Sequence, residues 1–334
     1  MSTLKAINVQ HPSSATINIV NDSTGNVTAG GTVAMASSFK RNRIINGNML
    51  IDQRNAGASV TVVGGGAFSY ACDRFFLQSF GASSTAQRTA GSGSSQYQLQ
   101  FNGASGVTSQ VVTQRIESAN CFDLASKTAT LSFSTSNSLL TTLNYYVFVP
   151  TGGTDTWTSQ STVLSGSITI NSTMTRYAIQ LALPSSVQSG MAVALAVGSQ
   201  ISGTWVLQNI QLEVGTVATP YEMQIYSDQL AQCQRYCQIA PSPFTVPNYA
   251  RTTTQVFANY AYPVTMRAAP TASFTTANWA LVSGGSFLTP SALTADSLGV
   301  QTFQFYATVA STTVGFGGNT YTTSASGFVL SAEL

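Results

Sequence analysis

The sequence predicts an all-β protein. It reads as an antiparallel jelly-roll sandwich plus a smaller C-terminal β-sandwich, with one linking helix between them and an extended N-terminal tail in front. Three observations predict this. From Lys40 onward, short runs of alternating or β-branched residues follow one another, about ten of them before Pro220. Gly, Asn, Ser and Pro separate the runs at hairpin spacing. Charged residues make up only 7% of the 334-residue chain, far below what a long-helix protein carries.

Residues 1–40 stand apart. They are rich in Ser, Thr, Asn and Gly, with short alternating pieces such as Ala15–Val20 and turn chemistry over Asn21–Asn26. Few large apolar side chains are present, so the segment cannot bury enough surface to order itself and is mobile or ordered by a partner.

Residues 41–225 hold the predicted strands of the larger sandwich: Arg43–Ile51, Cys72–Phe80, Tyr97–Phe101, Val111–Ile116, Lys127–Thr135, Tyr145–Val149, Gly166–Ile170, Arg176–Leu183, Met191–Val197 and Thr204–Val214. The alternation is clearest over Thr128–Ser134, where one face is apolar and the other small and polar. Residues 226–243 are the linking helix. Ser227 is its N-cap, Asp228 lies in its first turn, and Pro241 ends it. Leu230, Cys233 and Cys237 then share one stripe. Residues 244–334 form the second sandwich, with strands at Thr252–Tyr262, Ala272–Thr275, Trp279–Val282, Thr302–Val309 and Phe328–Ala332, and a turn at Gly315–Asn319.

The composition excludes several classes. A net charge of +2 is not the basic surface of a free-standing nucleic-acid binder. The single histidine, His11, lies in the tail, which removes a Ser–His triad and a multi-His metal site. The longest apolar run, Met191–Val197, is too short to span a bilayer, and Met1–Gln10 does not read as a secretory signal. The four cysteines are too scattered for a disulfide framework and read as reduced thiols, which suits folding in a bacterial cytosol. No cofactor motif is present: Gly64-Gly65-Gly66 lacks the lysine and helix of a phosphate loop.

No catalytic residue stands out. A two-carboxylate glycan hydrolase remains an alternative, because Asp73, Glu117, Asp123, Asp155, Glu213 and Glu222 are available, but they form no recognisable constellation. Asp73 beside Arg74, and Glu213 on a strand, read more simply as ion-paired structural groups. The aromatic residues say more. Trp157 sits in the polar loop Thr154–Ser159, where a large ring is either a lid at the edge of a core or a platform for sugar stacking. The same two readings apply to Tyr97, Tyr249, Tyr260, Tyr262 and Trp279. As a set beside many Asn, Gln, Ser and Thr, they fit a neutral polar ligand such as a glycan.

Several stretches resemble one family. Met1–Ser14 resembles the start of fibre proteins from tailed phages of marine bacteria, including cyanobacteria. Arg43–Gly57, continued by Cys72–Phe75, is similar to the entry of their carbohydrate-binding-like jelly roll. Gln211–Glu222, followed by Leu230–Tyr236, is similar to its exit. Pro263–Pro270 and Ser331–Leu334 resemble their terminal domain. The resemblance implies a virion fibre protein of tail, neck or head, assembled as a homotrimer in the host cytoplasm. Residues 1–40 would anchor it to other virion proteins, and the β domains would bind host-surface glycan. Leu230, Cys233 and Cys237 would face a threefold axis. A structural Ca²⁺ is common in such jelly rolls, although no acid cluster in the sequence specifies one. Two other functions stay open: a structural collar or capsid-decoration protein without receptor binding, and a glycan depolymerase.

Overall fold

A computed structural model describes residues 19–21, 27–29, 40–241, 243–324 and 327–334. The chain falls into two compact units, Met1–Arg41 and Asn42–Leu334. In the first, β1 (Ile19–Asn21) pairs antiparallel with β2 (Val27–Ala29). The rest of the predicted tail, apart from Lys40, lies outside the described residues.

The second unit opens with β3 (Val60–Val62), β4 (Ser69–Cys72), β5 (Phe75–Phe80), β6 (Ser84–Ala90), β7 (Tyr97–Asn102) and β8 (Ser109–Ile116). After α1 (Ser118–Cys121) come β9 (Thr128–Asn137), β10 (Thr142–Pro150), β11 (Gln160–Thr169), β12 (Thr175–Ala182), β13 (Met191–Val197) and β14 (Thr204–Val214). They form two six-stranded sheets, ordered β11-β10-β13-β8-β5-β4 and β12-β9-β14-β7-β6-β3. From β8 to β14 the chain crosses repeatedly between the sheets, as in a jelly roll. The core lies between them. In β9 it takes Ala129, Leu131 and Phe133, the apolar half of the predicted alternation. The polar half is covered by chain rather than water: Thr130 Oγ1 donates to Gly215 O, and Ser132 Oγ accepts from Arg176.

After α2 (Tyr226–Gln234) follow β15 (Cys237–Ile239), β16 (Thr245–Ala250), β17 (Gln255–Ala261), β18 (Thr271–Phe274), β19 (Trp279–Ser283), β20 (Ser286–Leu288), β21 (Ala292–Leu298), β22 (Thr302–Thr308), β23 (Gly317–Thr322) and β24 (Phe328–Ser331). A seven-stranded sheet, β20-β19-β23-β16-β17-β22-β21, faces a three-stranded one, β15-β24-β18. Trp279, Phe303, Phe305 and Phe328 fill the space between.

Three expectations are corrected. Arg43–Ile51 is not a strand. Asn46 and Met49 have φ of 61° and 58°, and the Asn46 side chain bonds Ile51 N, Ile51 O and Asp73 O, so it replaces a ladder with local bonds. The linking helix begins at Tyr226, with Ile225 and not Ser227 at its N-cap, and stops at Gln234. It stops because long-range partners claim the next backbone groups: Arg235 O accepts from Arg267 N, Tyr236 O accepts from Ala332 N, and Cys237 pairs with Ser331 in β15. Cys237 therefore does not share a helical stripe with Leu230 and Cys233. The Gly315–Asn319 turn also ends early, since β23 starts at Gly317.

Candidate functional site

The site follows from strand parity on the first sheet. In β13, Met191, Val193, Leu195 and Val197 point into the core, so Ala192, Ala194 and Ala196 face outward. In β10 the core takes Leu143, Val147 and Val149, which turns Tyr146 and Phe148 outward. In β5 the core takes Phe75 and Leu77, which turns out Phe76, Gln78 and Phe80. The registers align these residues: Ala194 stands opposite Tyr146 on one side and Thr113 on the other, and Thr113 stands opposite Phe76. Between the rings of β10 and β5, Ala196 of β13 and the outward side chains of β8 (Ser109, Val111, Thr113 and Arg115) form the floor of a trough.

The trough is a cleft of about 500 Å³. Tyr146 and Phe148, stacked at 5.8 Å, form one wall. Phe76, Phe80 and the exposed Phe68 form the other, with Phe68 and Phe76 ring centroids 4.4 Å apart. Gln78, Ser109, Thr113 and Gln160 supply hydrogen-bonding groups, and among the described residues no carboxylate lines the space.

Trp157 reaches the cleft from the β10–β11 loop, which is fixed at both ends. Thr151 N donates to Ser159 O, and Asp155 N donates to Ser189 O. The Asp155 carboxylate accepts from Ser118 N and Ser118 Oγ, both at 2.8 Å. Arg115 then packs its guanidinium 4.7 Å from the Trp157 ring, 5.0 Å from Phe76 and 5.3 Å from Phe68. Burial lowers the Arg115 pKa below that of a free guanidinium. Among the described residues, Trp157 Nε1 and Arg115 Nε have no hydrogen-bond acceptor.

Of the residues singled out by sequence, the cleft contains Trp157 alone. Tyr97 lies at a separate hollow of about 570 Å³ with Arg88, Met223 and Tyr226, the Arg88 guanidinium sitting 4.2 Å over its ring. Trp279 is a core residue and not an exposed platform: it is 2% exposed and its Nε1 donates to Gly327 O. Tyr260 and Tyr262 pack half-buried against the same core, where burial pushes the Tyr262 hydroxyl up to about 12. Tyr249 is 42% exposed and stacks on Phe257. Cys233 and Cys237 are fully buried within one chain, which leaves only the half-buried Leu230 of that trio near the surface. Phe68, Phe76, Phe80, Tyr146, Phe148 and Arg115 were missed by sequence reasoning. The signal was parity: once Val147 and Val149 are assigned to the core, their neighbours must face out.

The acids weighed for hydrolysis are all engaged. Asp73 pairs with Arg54 rather than Arg74, Glu117 with Arg235, and Asp123 with Arg43. Asp155 holds Ser118, Glu213 holds Thr219, and Glu222 accepts from Asn42 N. Among the described residues no group of three or more His, Cys, Asp or Glu could hold a metal ion. No helix among them is long and apolar enough to cross a membrane.

No protein-family model and no curated protein matches the sequence. Among solved structures, the chain is similar to a CBM4 module at 11% identity and TM-score 0.33, over 51% of this chain and 98% of that one. It is similar to a family 11 carbohydrate-binding module from Clostridium thermocellum in complex with a β-1,3-1,4-mixed-linked tetrasaccharide, at 11% identity and TM-score 0.30, over 44% and 91%. It is also similar to the enzymatically active domain of the bacteriophage CBA120 tailspike protein 4, at 16% identity and TM-score 0.33. That match covers 52% of this chain but only 22% of the tailspike chain. The class defined by the sheets themselves is an all-β protein with a jelly-roll sandwich, a second smaller sandwich, and an aromatic-walled cleft on an outer sheet face.

Proposed function

We propose that this chain binds a neutral glycan in the cleft over β8 and β13. The observation that carries the reading is the cleft itself: aromatic walls, a floor of Ala196 and the outward side chains of β8, amide and hydroxyl groups, and no carboxylate among the described residues. Sugar rings present apolar faces that stack on aromatic side chains, and their hydroxyls are oriented by uncharged donors and acceptors. The unpartnered Nε1 of Trp157 is one such donor. The wider reading is a virion fibre of a tailed phage. In it, a homotrimer is anchored to other virion proteins through residues 1–40 and presents this cleft to host-surface glycan. The resemblance of Met1–Ser14, Arg43–Gly57 and Gln211–Glu222 to such fibres supports it. On this reading the protein is a binder and not an enzyme.

Native affinity electrophoresis in gels cast with neutral polysaccharides tests the cleft. Retardation by at least one polymer, lost in Trp157→Ala, is expected, while unretarded migration in all of them overturns the reading. Deleting residues 1–40 tests the fibre role: the product should fold and bind glycan but fail to join particles, and incorporation at the wild-type level would refute the anchor.

A further inference from the structure

Residues from the C-terminal sandwich reach behind the cleft. Arg115 Nη1 donates to Leu334 O, across 219 residues of sequence. One residue earlier, the Glu333 carboxylate pairs with Arg54 at 3.1 Å and with Arg74. Arg74 is the joint: its Nη1 meets Glu333 and its Nη2 donates to Arg115 O at 2.6 Å. Arg267, before β18, holds the same backbone from the other side, with Nε on Ala332 O and Nη2 on Glu333 O. Arg115 is thus gripped at its main chain and at its guanidinium, and that guanidinium is the group packed against Trp157, Phe76 and Phe68.

We propose that Arg115 is the positioning residue of the cleft, and that Glu333 and Leu334, arriving from the second sandwich, hold it in place. The grip of the jelly roll on its ligand then depends on the docking of the C-terminal sandwich. A planar guanidinium enclosed by three rings fixes their relative tilt only while its own orientation is fixed. The Glu333–Arg74 pair and the Leu334 carbonyl supply that constraint. This inference rests on the glycan reading for its consequence, but not for its test.

Acrylamide quenching of tryptophan fluorescence reads the cleft with no ligand present. Trp205 and Trp279 are 1% and 2% exposed, so the accessible signal belongs to Trp157. In Glu333→Gln the quenching slope is expected to rise, and affinity for the retarding polysaccharide to fall about fivefold or more, within the usual range of coupling between sites. Arg267→Met, which removes bonds to the backbone of Ala332 and Glu333 and leaves the cleft and the carboxylate of the ion pair in place, should move both readouts in the same direction and serves if Glu333→Gln fails to fold. Arg115→Lys keeps the charge without the planar group, and should raise quenching as Glu333→Gln does. Unchanged quenching in the folded variants overturns the proposal. If no polysaccharide retards the wild type, the glycan reading falls and the quenching result still decides the coupling.

Discussion

The guanidinium of Arg74 lies 3.4 Å from the centroid of the Tyr236 ring, and both side chains are buried. The contact joins the loop between β4 and β5 to the residue just past α2, and Glu333 closes it from a third direction. The resulting cluster of an arginine, an aromatic ring and a carboxylate lies at the junction of the two sandwiches. Burial alone would lower the Arg74 pKa, but nearby Glu333 and Tyr236 hold it above its ordinary value, so the cation stays charged.

Replacing Arg74 with Met should therefore cost about 3 kcal/mol or more, because breaking a buried pair strands its partner. Glu333 retains Arg54 at 3.1 Å, which keeps the loss toward the lower end. Denaturant unfolding measures it. The double variant Arg74→Met/Glu333→Gln should recover part of the loss, since no buried charge is then left alone. A loss within about 1 kcal/mol, the size of a surface pair, would show that the cluster is solvated.

The thiols give a pH prediction. Burial, with a smaller effect from Asp155, pushes the Cys121 thiol up to about 12 from an ordinary value of 9.0. Burial likewise raises Cys72, Cys233 and Cys237. A raised folded pKa means that the neutral thiol's contribution to stability is complete below the unfolded value and is lost as pH climbs through the folded one. Stability should thus fall between about pH 9 and 12, and less steeply in Cys121→Ala. At pH 8 the native protein should leave a thiol reagent unreacted, while the unfolded chain titrates all four cysteines. Rapid native labelling would contradict this burial.

Much of the fold was legible because its cores alternate. Met191–Val197 reads as a strand and is β13 to the residue; Val111–Ile116 falls within β8, and Thr204–Val214 is β14. What failed depended on distant partners. Arg43–Ile51 has the composition of a strand, yet Asn46 satisfies its backbone groups from the side chain. The end of α2 is set by Ala332 and Ser331, about a hundred residues away. The site shows the same divide. Trp157 was visible as a ring among polar neighbours. Arg115 and Phe148 carry no local mark, because their role depends on which face of a sheet the core claims.

Gly47 tests the corrected loop. Its backbone bonds Ile210, whose N donates to Gly47 O at 2.9 Å, and a Cβ there would fall on the Ile210 carbonyl oxygen. The obstacle is steric, from backbone that cannot swing aside. Gly47→Ala should lower stability by more than about 2 kcal/mol, measured by thermal or denaturant unfolding. A neutral result would mean that the loop moves freely against β14.

The aromatic walls should account for most of the binding energy. Trp157→Ala and Phe148→Ala are each expected to weaken glycan binding by about 2 kcal/mol, or roughly 30-fold, as buried aromatic anchors do. Neither ring belongs to the main core, so the melting temperature should change little. Isothermal titration with a retarding oligosaccharide measures the affinity. If both variants bind like wild type, the ligand sits elsewhere, with the hollow beside Tyr97 the next place to look.

Strand β13 separates binding from folding most sharply, because its two faces serve one each. Ala196 faces the cleft, opposite Val111 and Asn144, while Val193 on the same strand faces the core. In Ala196→Leu the added carbons enter the trough and leave the core unfilled, so binding should drop about tenfold or more while the melting temperature holds, a clash built against the ligand alone. Val193→Ala should do the reverse: a cavity between the sheets costs about 2 kcal/mol, yet each folded molecule binds as before. If Ala196→Leu instead destabilises the protein and spares binding, the parity assigned to β13 is inverted and the cleft is not the ligand site.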